Sequence, residues 1–255
     1  MLVVALLAGC KDDEPDFMKK NITAQFDAKF AALLEERGYI SNAAEITPAD
    51  VKDIKKIDVS GTYELPGNLT SLSGIEYFSA LDTLSCSNNQ FTSLDVSKNT
   101  LLTVLSCSNN QLTFLDISKN TALTYLNCGS NQFAALDVSK NTALTYLYCF
   151  ENQLTALDIS KNTALKVLFC SVNQLIALNV SNNTALTDLF CLGNQLTSLD
   201  ISNNTALTFL NCSFNPGNGT VFPVTAWFDN NNVPINFIKD SWYNGNTITI
   251  DYRIN

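Results

Sequence analysis

The chain has 255 residues, 46% of them apolar, and a formal net charge of -9 at neutral pH. This length and apolar content suit a folded protein with a sizeable core, and the negative charge argues against nucleic acid, whose phosphates require a basic partner. Histidine is absent, which excludes Ser-His-Asp and Cys-His catalysis and histidine-based zinc sites. The composition therefore predicts a protein that is not an enzyme, with no cofactor and no metal.

Residues 1–9 resemble a lipoprotein signal peptide. The apolar run from Leu2 to Ala8 is too short to span a bilayer. It leads into Leu7-Ala8-Gly9-Cys10, which is similar to the lipobox of bacterial lipoproteins. The resemblance implies cleavage before Cys10 and attachment of lipid to that cysteine. A signal stub or a buried strand that ends in cysteine is the alternative.

Residues 10–22 are interpreted as a lipidated acidic tether. The sequence "KDDEPD" follows Cys10 directly, and such a charge run is typical of a solvated, flexible linker. A lysine followed by two acidic residues also resembles the export signal of lipoproteins that reach the outer face of the outer membrane. We therefore expect an outer-membrane lipoprotein that is exposed on the cell surface and contacts the membrane through its N-terminal lipid only. A periplasm-facing anchor is the alternative.

Residues 23–68 are predicted to form a helical N-terminal cap. Four apolar residues share one helical face between Thr23 and Arg37, namely Phe26, Phe30, Leu33 and Leu34. Gly38 is placed to end this helix. A second helix is predicted to begin at Thr47-Pro48, with Asp50 completing a capping box. Between the helices only Glu45 could serve as a carboxylate ligand, so no calcium site is expected there.

A 21-residue repeat fills the middle of the chain. Cysteines recur with this period at positions 86, 107, 128, 149, 170, 191 and 212, and asparagines at 89, 110, 131, 152, 173, 194 and 215. The unit is L-x-x-L-x-C-x-x-N-Q-L-x-x-L-D-(V/I)-S-(K/N)-N-T-A. It resembles the leucine-rich repeat in its cysteine-ladder, internalin J-like subtype, known from bacterial surface proteins. The resemblance is strong from Leu81 to Asn215, with a degenerate lead-in from Leu69, and it implies a solenoid over residues 69–215.

Stacking of the repeats explains the invariant positions. One repeat cannot bury its own apolar side, so copies stack and share a core. The leucines and cysteines are expected to point inward, and the Asn89 column to bond backbone groups of the turn that it closes. Asp95, Ser97 and Asn99 are interpreted as turn residues whose side-chain oxygens cap backbone amides. The seven repeat cysteines are expected to be buried free thiols, because stacked parallel side chains converge neither into disulfides nor into a tetrahedral metal site.

Residues 216–255 depart from the repeat and are predicted to form a β-rich C-terminal cap. Asn244-Gly245 is a hairpin signal between two strand-like runs. Alternating apolar residues predict a half-buried strand after it, namely Ile248, Ile250, Tyr252 and Ile254. The aromatic side chains of Trp227, Phe228 and Trp242 could cover the last coil. A separate aromatic carbohydrate-binding module is the alternative.

The positions that differ between repeats are those expected on the open concave face of a leucine-rich repeat. The first two copies present mainly serine there, whereas each of the third to seventh copies presents at least one aromatic residue. An exposed apolar patch of this kind usually marks an interaction site. The candidate partner-binding residues are Tyr125, Tyr146, Tyr148, Phe150, Val167, Phe169, Phe190, Leu192, Phe209 and Phe214.

The sequence therefore predicts an α/β repeat solenoid of the leucine-rich-repeat class, with a parallel concave sheet, a helical N-terminal cap and a β-rich C-terminal cap. The expected function is binding of a protein partner by a monomeric, surface-anchored lipoprotein. A glycan-binding lipoprotein is one alternative, because aromatic rings also stack on sugars. A structural envelope protein is another, in which the rings only stabilise the sheet by cross-strand packing. The Lys98 and Asp95 columns are interpreted as a solvated face.

Overall fold

The computed structural model describes residues 15–219, 221–229, 231, 233, 238–239 and 249–254. The predicted signal peptide, Cys10 and the first residues of the acidic tether lie outside this range, as do Asn244-Gly245, Trp242 and Ile248. None of the helices within it is long and apolar enough to cross a membrane.

The N-terminal segment is only partly helical. Two 3-10 turns, Asp16–Lys19 and Thr23–Gln25, precede helix α1 at Ala28–Glu36 and the single turn α2 at Pro48–Val51. The first predicted helix was placed from Thr23, and it begins later because the Asp27 carboxylate caps it. That side chain accepts hydrogen bonds from two backbone N–H groups at 3.0 Å, those of Lys29 and Phe30.

The predicted helix boundaries hold at two other points. Gly38 has φ of +74°, so it adopts the left-handed conformation that ends α1. At the start of α2, the backbone N–H of Thr47 donates to the Asp50 carboxylate at 2.8 Å, as in the predicted capping box.

Within the described residues, the main sheet has nine parallel strands, none longer than three residues, and it begins at β1, Lys56–Asp58. The following strands are β2 Thr83–Ser85, β3 Val104–Ser106, β4 Tyr125–Asn127, β5 Tyr146–Tyr148, β6 Val167–Phe169, β7 Asp188–Phe190, β9 Phe209–Asn211 and β11 Ile238–Lys239. From β2 to β9 each strand pairs in register with the equivalent residues of the next coil. The predicted parallel solenoid is confirmed.

Side chains from the N-terminal segment cover the outer edge of β1. The backbone N–H of Asp58 donates to the Tyr39 hydroxyl at 2.9 Å, and the Arg37 guanidinium donates to the carbonyls of Asp58 and Ser60. These side chains satisfy groups that an exposed edge strand would offer to another chain. The sheet is therefore closed at this end by its own residues.

The repeat cysteines form a buried column between the leucine columns. All seven are free thiols and are at most 2% exposed. Burial raises the pKa of Cys107 and of Cys170 to about 12. The prediction that the ladder fills the core without disulfides is confirmed.

Two asparagine columns connect successive coils. In the first, the amide of Asn152 donates to the carbonyls of Cys128, Cys149 and Phe150 and accepts from the backbone N–H of Phe133 at 3.0 Å. The equivalent asparagines make the same pattern along the solenoid. The predicted inward column is confirmed. Each asparagine side chain bonds to the backbone of its own turn and also to the backbone of the preceding coil.

The interpretation of Asn99 as a turn-capping oxygen was wrong. Asn99 is 1% exposed, and its amide N–H group donates to the carbonyls of Ile75 and Phe78 in the preceding segment. Equivalent residues such as Asn141 likewise donate to the coil before them. The oxygen that caps the turn belongs to the aspartate column, where Asp137 accepts from the backbone N–H of Ser139 at 2.8 Å. This bond lowers the pKa of Asp137 below its usual value.

The described C-terminal strands continue the parallel pairing of the solenoid. β11 pairs with β9 in the main sheet, while β8 at Leu199–Asp200, β10 at Val221–Ala226 and β12 at Thr249–Ile254 form a second parallel sheet. The predicted hairpin turn at Asn244-Gly245 lies outside the described residues, and the described strands on either side of it, β11 and β12, belong to different sheets. The buried rings of Phe228 and Tyr252 pack against each other, with centroids 5.1 Å apart.

We expect the repeat thiols of the folded protein to resist alkylation. A thiol with a pKa of about 12, such as Cys107 or Cys170, is almost entirely protonated at neutral pH, and burial blocks the reagent as well. Mass spectrometry after iodoacetamide treatment should show the repeat cysteines unmodified in buffer and fully modified in denaturant. Labelling of these cysteines in the native protein, or a disulfide between two repeats, would contradict the buried ladder.

Candidate functional site

Each central strand places two side chains on the open face of the sheet and one in the core. On β5, Leu147 is fully buried, whereas Tyr146 is 39% exposed and Tyr148 is half-buried. The alternation follows from the two-residue period of a strand. Because the strands pair in register, the two outward positions form two columns that run across the coils.

Seven rings form one continuous surface, six of them on strands β4 to β9 and one, Phe150, just after β5. We call it the aromatic face: Tyr125, Tyr146, Tyr148, Phe150, Phe169, Phe190 and Phe209. Tyr125 contacts both Tyr146 and Tyr148, with ring centroids 6.1 and 5.5 Å away. Phe169 lies 6.3 Å from Tyr148 and 4.9 Å from Phe190. The series ends at Phe209, whose centroid is 4.7 Å from that of Phe190. The structure therefore brings together seven of the ten candidate residues.

The first two repeat strands carry a small polar surface in the same columns. The Ser87 and Ser106 hydroxyls are 2.9 Å apart, and the Ser108 hydroxyl donates to that of Ser87 at 3.0 Å. The coils form equally well over serine and over aromatic residues, so the fold does not require rings at these positions.

Phe150 is accommodated by a glycine on the neighbouring coil. A Cβ atom added to Gly129 would lie 2.5 Å from the Phe150 ring, closer than packed carbon atoms approach. Phe150 also contacts Phe169, with centroids 4.9 Å apart. Gly129 and Phe150 both occupy the position after the repeat cysteine, where other coils have serine or leucine. Gly129 and Phe150 are therefore a coupled pair, which sequence reasoning did not identify.

The turn after each strand adopts the left-handed conformation. Six residues other than glycine have φ between 50° and 56° there, and two of them, Val172 and Phe214, are large and apolar. Their side chains are 48% and 46% exposed. A β-branched or bulky residue in this conformation is strained, by about 1–3 kcal/mol. Of the candidate residues, Phe214 lies on this turn and not on a strand.

The remaining candidates, Val167 and Leu192, are half-buried beside the rings. Val167 pairs with Asp188 on the next strand, and Asp188 is an acidic residue within the aromatic face. Burial is the main cause of a raised pKa at Tyr148, and the nearby Tyr125, Tyr146 and Asp188 raise it further.

The opposite side of the coils is charged and solvated. Lys98, Lys119, Lys140 and Lys161 are all exposed. The exposed ring of Phe114 lies there, beside Asp116 and Lys140 in a shallow groove. Among the residues that the structure describes, no group of three or more Cys, Asp or Glu side chains could hold a metal ion.

We expect Gly129→Ser to destabilise the protein only while Phe150 is present. The new side chain would overlap the Phe150 ring, and overpacking of this kind typically costs about 1–3 kcal/mol. In a Phe150→Ser background the two coils would carry the serine pair already seen at Ser87 and Ser108, so the cost should nearly vanish. Denaturant unfolding of the two single variants and the double variant measures this coupling. Strictly additive losses would refute it.

Comparisons with solved structures place this architecture among bacterial repeat proteins. The functional domain of internalin J from Listeria monocytogenes, described as including a cysteine ladder, is 31% identical, with a TM-score of 0.57 over 81% of this chain and 55% of that one. A leucine-rich-repeat protein of Leptospira interrogans is 29% identical, with a TM-score of 0.61 over 66% of this chain and 45% of that one. This chain thus spans about half the length of each of these two proteins.

Internalin C2 from Listeria monocytogenes shares the fold, with a TM-score of 0.69 at 22% identity over 92% of this chain and 97% of that one. No protein-family model matches the chain, and no curated protein sequence matches it. Three features are those of a cysteine-ladder solenoid: the 21-residue coils, the parallel sheet and the buried cysteine column. The chain is a leucine-rich-repeat protein of the cysteine-ladder type, similar in its repeats to internalin J.

Proposed function

We propose that the chain is a surface-anchored lipoprotein that binds a protein partner through the aromatic face. The observation that carries this proposal is the run of ring contacts from Tyr125 to Phe209 on the open side of the sheet. Repeat solenoids use such extended concave surfaces for binding. Leucine-rich-repeat proteins with this architecture commonly serve in protein interaction or adhesion, and that coarser role suits this chain.

Aromatic side chains are well suited to a protein interface. Tyr and Phe offer a large contact area and lose little conformational entropy on binding, so they are enriched where partners meet. Here the rings are already held by their neighbours, such as Phe169 between Phe150 and Phe190. A partner would therefore meet a largely preorganised surface, which lowers the entropic cost of association.

Two other functions compete with protein binding. In a structural envelope protein, the same ring contacts would only stabilise the sheet, at about 0.2–1 kcal/mol for each cross-strand pair. In a glycan-binding protein, the rings would stack on sugars, but such sites interleave hydrogen-bonding side chains with the apolar ones. The hydroxyls of Ser87, Ser106 and Ser108 bond to one another in the first two coils, outside the aromatic face.

The proposal is tested by probing the purified mature protein in parallel on an array of extracellular proteins and on a glycan array. We expect saturable binding to a protein spot, and loss of that binding when Tyr148 and Phe169 are both replaced by serine. Binding to glycans alone would favour the glycan-binding function. Absence of binding on both arrays would favour the structural one.

Anchoring through Cys10 is part of the proposal and rests on the similarity of Leu7-Ala8-Gly9-Cys10 to a lipobox. We expect Cys10→Ser to release the protein from the membrane fraction or to leave its precursor uncleaved, because the lipid attachment site is lost. Fractionation and N-terminal mass spectrometry measure both outcomes. A Cys86→Ser variant, altered within the buried ladder, serves as the control for cysteine loss. A Cys10→Ser protein that fractionates like the parent with the same N-terminus would refute the anchor.

A further inference from the structure

Asp188 is an acidic side chain set into the aromatic face. It lies on β7, in the outward column between Val167 on one side and Phe209 on the other. Its next outward neighbour along the same strand is Phe190, and Tyr148 is close enough for the carboxylate to raise the pKa of the tyrosine. The other coils place Thr, Val, Tyr or Phe at the equivalent position, so the repeat does not require an acid there.

Within the described part of the chain, the carboxylate is only partly satisfied. Oδ2 accepts a hydrogen bond from the Thr187 hydroxyl at 2.7 Å, whereas Oδ1 has no hydrogen-bond donor among these residues. No basic side chain of the described residues lies within the 4.0 Å ion-pair distance. Lys166, exposed at the residue before β6, contributes its backbone carbonyl to the Asp188 N–H and forms no ion pair. One carboxylate oxygen therefore remains available to a partner.

Two short side chains, Val167 and Asp188, interrupt the column of rings at this point. Along the outward column the residues run Tyr125, Tyr146, Val167, Asp188 and Phe209 in adjacent strands. Strands lie about 4.8 Å apart, so two short side chains between longer rings leave a notch roughly two strands wide. The rings of Phe169 and Phe190 border this notch in the second column. Its walls are aromatic and it contains a carboxylate.

We propose that this notch is a subsite for one basic side chain, Arg or Lys, of the protein partner. The inference rests on the proposed function and names the chemistry of its ligand. A cation here would pair with the carboxylate and lie against aromatic ring faces, two interactions that reinforce each other where water is partly excluded. The chain's net charge of -9 also favours approach of a basic partner.

A purely structural role for Asp188 explains less. The Thr187 bond is local, and its counterpart between Thr83 and Asp82 lies on the polar part of the sheet. Asp188 instead places a carboxylate beside rings, and no basic side chain of the described residues lies within ion-pair distance of it. Val104, Tyr125 and Tyr146 show that the same strand position folds with no charge. The acid is therefore better explained by a ligand than by the fold.

The inference is tested by selecting a random peptide library, displayed on phage, against the mature protein. We expect selected peptides to be enriched in Arg or Lys relative to the library, and synthetic copies to bind more weakly as salt screens the pair. Asp188→Asn, which keeps the side-chain shape, should weaken these peptides about tenfold or more. Asp158→Asn is the matched control, since Asn179 occupies the equivalent turn and accepts the same backbone bond.

The outcomes separate this inference from the proposed function. The subsite would be overturned, and binding at the aromatic face retained, if the peptides lose binding to the Tyr148→Ser/Phe169→Ser protein but show no enrichment in Arg or Lys. The same conclusion would follow if they lose binding to that protein but bind Asp188→Asn as well as the parent. Peptides that bind the double variant unchanged would overturn both. A library that yields no binder above background would also count against the subsite.

Discussion

Replacing Asn152 with alanine should cost about 3 kcal/mol or more of folding free energy, because a buried donor loses its acceptor. The side chain accepts the Phe133 N–H and donates to the carbonyls of Cys128, Cys149 and Phe150. The cysteine carbonyls keep a second asparagine donor, Asn131 for Cys128 and Asn173 for Cys149. The Phe133 N–H is left without a partner inside the solenoid, and the missing amide leaves a cavity as well.

Denaturant unfolding followed by circular dichroism measures this loss. Asn203→Ala is the matched control, since Asn203 is exposed on the turn, and we expect it to change stability by less than about 0.5 kcal/mol. Asn152→Asp would keep the acceptor but bury a charge among carbonyls, so it should be no more stable than the alanine variant. An alanine variant as stable as the parent would show that the asparagine column does not join the coils.

The second large effect is expected at the aromatic face. Tyr148→Ser combined with Phe169→Ser should weaken binding to a verified protein partner by about 2 kcal/mol or more, since central aromatic residues commonly dominate interfaces. Serine is the residue that Ser85 and Ser106 already place in this column. Binding should fall because the two substitutions remove the middle of the aromatic face, from which a partner would gain most of its contact area.

The double variant also removes four ring contacts, from Tyr148 to Tyr125 and Phe169, and from Phe169 to Phe150 and Phe190. At about 0.2–1 kcal/mol for each cross-strand pair, stability should fall by about 1–4 kcal/mol while the fold persists. Lys119→Ser on the far side is the binding control. A double variant that binds like the parent would exclude these rings from the interface, and one that fails to fold would assign them to sheet packing.

The architecture was predictable because a solenoid converts sequence period directly into spatial position. A cysteine every 21 residues can only become a column, and the parallel register then places Tyr148 beside Phe169. The outward columns were identified for the same reason, and each repeat strand in the main sheet ends at the residue before the cysteine.

Contacts between particular side chains were not predictable from the period. In the sequence, Gly129 is one small difference between repeats. Only the structure shows that the ring of Phe150 packs against it. Val172 and Phe214 occupy a left-handed turn that is indicated only by residues at the same position of other copies, namely Asn88, Asn109 and Gly193. Asn99 looked like a turn residue because Asp and Ser surround it, whereas stacking buries it. At the C-terminus, β10 pairs with β12, and no local sequence signal indicates a pairing between segments so far apart in the chain.

The binding claim is tested most directly by photocrosslinking in the full-length protein. A benzophenone amino acid at position 148 would stand in the middle of the aromatic face, and the same residue at position 114 would replace Phe114, which is 71% exposed on the other side of the coil. Irradiation in the presence of the verified partner should give a crosslinked adduct from position 148 and none from position 114. An adduct from position 114 alone would contradict binding at the aromatic face.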